Sequence, residues 1–206
     1  CNYKINKVTI YPFGGITETE TLINSPLKKD FFVFNGGFIF QLALFFLILV
    51  FYKNNLISNS FYNLFIKYNK FIFLFNLIPI IPLDGYLILN NLLNNVLSYY
   101  KSLQISFVIS IISLCLFLYF YKENYVIIGF LVYNSIIYLK NIKIFYKRFI
   151  LERYLYDLTF DKIKYFNEIN LHKLTRDCFC YFKNDNSYTS EKKLLNKKFD
   201  NIRSFW

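Results

Sequence analysis

The strongest constraint on this chain is an uncharged run at residues 31–52, which contains no Asp, Glu, Lys or Arg. At about 1.5 Å per residue, a helix of this length crosses the roughly 30 Å hydrocarbon core of a bilayer. The whole chain is 55% hydrophobic and 22% aromatic. This load is typical of an integral membrane protein, and it argues against a nucleic-acid-binding protein despite the net charge of +11.

Three further apolar runs follow, and they predict three more transmembrane segments at residues 71–97, 103–121 and 125–139. Residues 1–30 precede all four. In that stretch "KVTIYPFGG" and "ITETETLI" alternate apolar and polar residues around Gly14 and Gly15, which predicts two strands. We therefore expect an all-α polytopic integral membrane protein with a short membrane-associated β-hairpin and about four transmembrane segments in this chain.

The basic residues are concentrated on one predicted side of the membrane. They flank the first run and follow the last, whereas the segments between carry few charges. The positive-inside rule then places the C-terminus in the cytoplasm. We predict three regions: a hairpin region at 1–30, a transmembrane core at 31–140, and a basic cytoplasmic tail at 141–206. One or two amphipathic helices are expected near 150–166.

Cysteines and the first residue bear on the context of the chain. Cys178 and Cys180 are spaced C-x-C without a second pair nearby, so we expect two free thiols in preference to a zinc site. The chain has no methionine and begins with Cys1. We expect a segment upstream of Cys1 in the natural protein.

The stretch "NLIPIIPLDG" at residues 76–85 places one carboxylate, Asp84, within the second apolar run. An ionised carboxylate in mid-bilayer costs about 2.5–3.5 kcal/mol on insertion scales, so it persists where it has a partner, a proton or a metal. Pro79 and Pro82 remove backbone donors and interrupt the helix, and Gly85 permits close backbone approach. The pattern indicates either a kinked, hydrated point inside the membrane or a plain loop at the end of a shorter span.

The spacing N-x-x-P-x-x-P-L-D-G over Asn76–Gly85 resembles the motif of the site-2 proteases, the zinc intramembrane metalloproteases. The "VTIYPFGG" stretch is similar to the membrane-associated strand of that family. The chain looks most similar to the sporulation-type branch, whose core has about six spans. Two departures concern packing: Gly36-Gly37 stands where the family commonly has Gly-Pro, and Gly85-Tyr86 where it often has Gly-Gly.

The resemblance implies roles for residues of this chain. Asp84 would be the third ligand of a Zn²⁺ cofactor. The substrate-binding or site-shaping residues would be Asn76, Pro79, Pro82, Gly85, Gly14 and Gly15. No catalytic residue is expected in this chain, because the family's H-E-x-x-H helix, which carries two ligands and the general base, would lie upstream of Cys1. The lone histidine, His172, lies in a polar stretch and is not expected to bind metal.

The implied activity is proteolysis, by a zinc-dependent metalloendopeptidase, of a membrane-associated regulatory precursor of the sporulation or signalling type. The implied location is the bacterial cytoplasmic membrane, with possible regulatory membrane proteins as further partners and no nucleic acid. Two alternatives stay open: a catalytically dead homologue, and a non-enzymatic membrane protein that transports, binds helices or anchors the basic tail.

Overall fold

The computed structural model describes residues 5–11, 14–19, 22–121, 125–184 and 187–203. The first two elements are strands β1 (Ile5–Tyr11) and β2 (Gly14–Thr19), which pair antiparallel. The predicted hairpin is therefore confirmed. Gly14 and Gly15 begin β2, opposite Tyr11 and Ile10, and the turn between the strands lies outside the described residues.

Helices α1 (Leu27–Phe34) and α2 (Gly36–Lys53) follow almost without interruption. Together they form one apolar stretch, Leu27–Lys53, that is long enough to cross a membrane. The backbone N–H of Asn35 donates to Phe31 at 3.1 Å, so the helical hydrogen bonding continues across the junction. The first predicted span lies inside this pair of helices.

The second predicted span, residues 71–97, is interrupted between Leu77 and Asp84, as its two prolines predicted, but its first helix starts well before residue 71. Helix α3 (Asn59–Leu77) already begins at Asn59, where the Ser58 side chain accepts a hydrogen bond from the Phe61 N–H. It ends at Leu77, and α4 (Asp84–Val96) starts after a six-residue break. The break contains two prolines, which cannot donate the backbone hydrogen bonds that a helix requires.

Helices α5 (Tyr99–Phe120) and α6 (Tyr125–Leu155) complete the apolar part of the chain. Both are long and apolar enough to span a membrane. Helix α6 continues beyond residue 139, the predicted end of the last span, because it has 31 residues and extends about 46 Å. In the described part of the chain three stretches qualify as spans by length and composition, so the predicted count of four is not confirmed.

The broken pair α3–α4 runs back along α1–α2. Near the far end Tyr52 of α2 stacks on Tyr62 of α3, with ring centroids 4.1 Å apart. Closer to the break, Phe38 meets Phe73 at 5.2 Å. Helices α4, α5 and α6 then pack side by side, so that the end of α4, the start of α5 and the last turns of α6 lie on the same side as Leu27.

The C-terminal residues fold into strands β3 (Lys162–Phe166), β4 (Cys178–Asn184) and β5 (Ser187–Ser190), followed by α7 (Glu191–Arg203). We call these four elements the C-terminal unit. Strand β3 pairs parallel with β4, and β4 pairs antiparallel with β5. The sheet corrects two predictions: the all-α class lacked it, and the helices expected near 150–166 are the end of α6 followed by a strand.

The inner face of this sheet packs on the helix ends. Phe149 of α6, Phe182 of β4 and Leu195 of α7 are fully buried in one cluster, which also includes Tyr99 at the start of α5. Burial of large apolar side chains at this contact stabilises the C-terminal unit against the transmembrane helices. The unit is thus joined to the helices by a shared core.

Candidate functional site

Asp84 is the first residue of α4 and lies at depth within the helices. A Cβ atom built on Gly37 would be 3.2 Å from Asp84 Oδ2, so this carboxylate faces the backbone of α2. Gly37 is ten residues beyond Leu27, the start of α1. At about 1.5 Å per residue this places Asp84 beside a point about 15 Å along the α1–α2 stretch from Leu27.

The Asp84 carboxylate is half-buried. Within the described residues it forms no hydrogen bond to a side chain or backbone group and no ion pair. Asp84 stands at the start of a 13-residue helix, the end at which the helix dipole favours negative charge. The arrangement leaves its oxygens available to an external group.

The break before Asp84 is held in one shape by its own turns and by α5. The N–H of Ile81 donates to Ser110 Oγ at 3.0 Å, and the N–H of Leu83 donates to Ile80 O at 2.7 Å. Ile80 is completely buried against α5 and α6. Backbone groups that Pro79 and Pro82 leave outside a helix are therefore partly satisfied by neighbouring protein, as non-helical backbone at membrane depth requires.

Gly85 allows the break to fold tightly onto the end of α3. A Cβ atom at this position would lie 2.3 Å from Leu77 O and 2.7 Å from Ile78 O. Real Cβ atoms do not approach backbone oxygens so closely, so only glycine fits here. The glycine after Asp84 thus determines how the carboxylate is presented next to α3.

A line of serines on α5 fixes α4, and sequence reasoning missed it. Ser102, Ser106 and Ser110 are fully buried on one face. Ser102 donates to Asn90 Oδ1 at 2.9 Å, and Ser106 lies 3.1 Å from the hydroxyl of Tyr86. The signal was present in the sequence, because three serines at i, i+4 and i+8 in an apolar helix mark a shared polar face.

The described residues contain no group of three His, Cys, Asp or Glu side chains able to hold a metal ion, around Asp84 or elsewhere. As a single oxygen donor without a competing partner, Asp84 fits the part of one metal ligand. It does not form a complete site with the described residues.

The other sequence candidates for metal binding lie elsewhere. His172 is exposed on a 3₁₀ turn and stacks on Tyr146 with ring centroids 4.9 Å apart. Cys178 and Cys180 are free, buried thiols in β4. Burial raises the pKa of the Cys180 thiol.

The remaining predicted site residues divide into two groups. Asn76 is half-buried in the last turn of α3, while Pro79 and Pro82 are half-buried in the break itself. These residues share one local segment with Asp84. Gly14 and Gly15 belong to the hairpin, and their predicted contribution to a substrate cleft stays a prediction.

Comparison with known proteins gives one partial similarity. No family model matches the chain. Over 84 residues it is 37% identical to stage IV sporulation protein FB of Bacillus subtilis (strain 168). The aligned region covers 41% of this chain and 29% of that protein. The chain therefore spans less than a third of the length of this relative. The match agrees with the sporulation-type branch indicated by the Asn76–Gly85 motif, and it supports the site-2 protease resemblance loosely.

Proposed function

We propose that this chain carries the Asp84 half of the active site of a zinc-dependent intramembrane protease. The observation that carries the proposal is a half-buried carboxylate beside Gly37 in the apolar α1–α2 stretch, without a protein partner among the described residues, within a Pro-Leu-Asp-Gly sequence. A charge in such a position needs a counter-ion or a proton. A bound metal ion supplies the first.

In this proposal Asp84 is one of three protein ligands. The other two ligands and the general base lie on an H-E-x-x-H helix that precedes residue 1, where two histidines at i and i+4 share one face. Zinc, when bound, supplies the Lewis acidity for peptide hydrolysis. The residues of this chain hold the carboxylate in place. Gly85 lets the turn pack against the end of α3, and Ser110 accepts a hydrogen bond from the Ile81 N–H in the break.

The proposed substrate is a membrane-associated regulatory precursor of the sporulation type. The partial similarity to a sporulation protein supports this class. Peptide bonds inside a helix are shielded, so the substrate must be extended when it is cleaved. We propose that it pairs with the β1–β2 hairpin, with Gly14 and Gly15 at the edge that admits it, and that the C-terminal unit lies in the cytoplasm.

Metal analysis of the complete protein, extended upstream of Cys1 and purified in detergent, tests the proposal. We expect about one zinc per chain, lost from the Asp84→Ala variant together with cleavage of the precursor. The matched control is Asp161→Ala, an exposed carboxylate outside the helices, which should retain both. Unchanged zinc content in Asp84→Ala would refute the ligand assignment, and a parent protein without zinc would favour a non-enzymatic membrane protein.

A further inference from the structure

The segment between the hairpin and α1 is hydrogen-bonded to the end of α6. Asn24 is buried there, and its backbone N–H and side-chain amide each donate to Glu152 Oε2 at 3.1 Å. Arg153 Nε donates to Asn24 Oδ1 at 2.8 Å. Two neighbouring residues of α6 thus use opposite charges to bind both ends of one amide.

Arg153 connects this amide to the C-terminal unit. Its side chain is only 1% exposed, and it forms an ion pair with Glu191 of α7 at 2.8 Å. It also donates to the carbonyl oxygens of Thr175, at 2.6 Å, and Cys178, at 3.2 Å. One guanidinium therefore links residue 24 to the sheet and to α7.

The other end of the same stretch is held by the loop before β4. Arg176 donates to Ser25 O at 2.7 Å and forms an ion pair with Asp30. The backbone N–H of Leu27 donates to Asp177 Oδ2 at 2.8 Å. Residues 24–30, which we call the coupling segment, are consequently held at Asn24, Ser25, Leu27 and Asp30.

The coupling segment also contacts the helix that begins with Asp84. The carbonyl oxygen of Leu27 accepts a hydrogen bond from Asn91 Nδ2 of α4 at 3.2 Å, and both residues are buried. Asn91 lies two helical turns after Asp84. The backbone N–H of Leu27 thus binds the loop before β4, and its carbonyl oxygen binds α4.

We infer that the C-terminal unit fixes the positions of α1 and α4 through the coupling segment, and that Asn24, Glu152 and Arg153 are positioning residues for Asp84. The mechanical part of this inference stands on the contacts alone. Its catalytic consequence rests on the proposed function. Any ligand or partner that displaces the C-terminal unit would then act on the intramembrane carboxylate through residues 24–30.

Hydrogen–deuterium exchange of the full chain in detergent tests the mechanical part. Asn24→Asp places a second carboxylate against Glu152, and we expect backbone exchange to rise by about tenfold in α1 and in α4 as local opening becomes easier. When Glu152→Gln is added, the glutamine amide can donate a hydrogen bond to the new carboxylate at position 24. Arg153 can still donate to the same carboxylate. The double variant should return to within about twofold of the parent.

Two further variants make the result specific. Asn54→Asp is the matched control, because Asn54 is exposed after α2 and bonds only the carbonyl of its own helix, so exchange should be unchanged. Asn24→Ala removes the amide contacts without adding charge and should raise exchange in the same helices. If exchange in α1 and α4 stays at the parent level in both Asn24 variants, or if Glu152→Gln does not rescue Asn24→Asp, the coupling is refuted.

Cleavage assays on the complete protein test the catalytic consequence. We expect Asn24→Asp to cleave the precursor about tenfold more slowly with zinc content unchanged, and the double variant to recover. Equal cleavage by the parent and Asn24→Asp, despite faster exchange, would overturn the positioning role. If the parent itself cleaves nothing while exchange still follows the variants, the proposed function fails and the coupling stands.

Discussion

Two glycines set the surroundings of Asp84. Gly85 lets the break lie against Leu77, and Gly37 brings the backbone of α2 to the carboxylate. The motif in the sequence singled out Asp84 and predicted the close backbone approach at Gly85, because both belong to one short stretch. The contact with Gly37 could not be predicted in this way, since it depends on how α2 packs on the start of α4.

Replacement of Gly85 by alanine should be severely destabilising. The new Cβ would meet Leu77 O at 2.3 Å, so the break must move away from α3. We expect a loss of about 1–3 kcal/mol or more in unfolding free energy, measured as the thermal midpoint in detergent. Gly129→Ala is the control: its Cβ has open space within α6, and alanine should stabilise that helix by up to about 1 kcal/mol. Equal midpoints for both variants would contradict the packing argument.

Gly37→Ala should act on the site more than on stability. Its Cβ would lie 3.2 Å from Asp84 Oδ2 and would shift the carboxylate by a few tenths of an ångström. Ligand misplacement of this kind weakens metal binding and, under the proposed function, slows cleavage by about tenfold or more. The neighbouring Gly36→Ala, which meets nothing, should retain zinc and activity. If Gly37→Ala binds zinc as tightly as the parent protein, Gly37 does not shape the position of Asp84.

At the scale of elements, the broken pair α3–α4 is the feature that positions Asp84. The two prolines predicted where the chain leaves the helix. The sequence did not predict that α3 begins as early as Asn59, because Lys67 and Lys70 suggested a loop there. Long lysine side chains can follow an apolar helix surface and keep their charge in water, so charge alone did not end the helix.

Ser110 joins the break to α5, and its loss should be costly. Ser110→Ala removes the acceptor for the Ile81 N–H, which then remains buried without a partner. We expect destabilisation by about 1–3 kcal/mol, measured by thermal or denaturant unfolding in detergent. Ser135→Ala is the matched control, because this buried hydroxyl bonds only to Leu131 O of its own helix at 2.9 Å. If the two serine variants are equally stable, the hydrogen bond between Ser110 and the Ile81 N–H contributes little to the free energy of unfolding.

At the scale of the whole molecule, the C-terminal unit is an integral part of the fold. Charge and polarity predicted only a basic tail there. Strands of only five and four residues, Lys162–Phe166 and Ser187–Ser190, give weak local signals. Both pair with β4, whose Phe182 packs with Phe149 of α6 and Leu195 of α7, and such contacts between distant residues leave no periodic pattern in the sequence.

Arg153→Met should destabilise the whole molecule. It leaves Glu191 buried without its cation and Asn24 without a donor, at a cost of about 3–5 kcal/mol. The thermal midpoint in detergent measures the effect. Lys192→Met removes an exposed ion pair with Asp157 and should change stability by about 0–1 kcal/mol. Similar midpoints for both variants would show that the buried pair contributes no more than a surface one.

The hydrogen bonds of Asn24 to Glu152 join residues 128 positions apart. During translation the ribosome needs on the order of ten seconds to make the intervening chain, at roughly 5–20 residues per second. Helices α1 and α2 are therefore synthesised well before Glu152, the residue of α6 that binds Asn24. A nascent protein stopped before Glu152 lacks the hydrogen bonds that hold Asn24 to α6, although α2 can already pack on α3 and Leu27 can already bond Asn91.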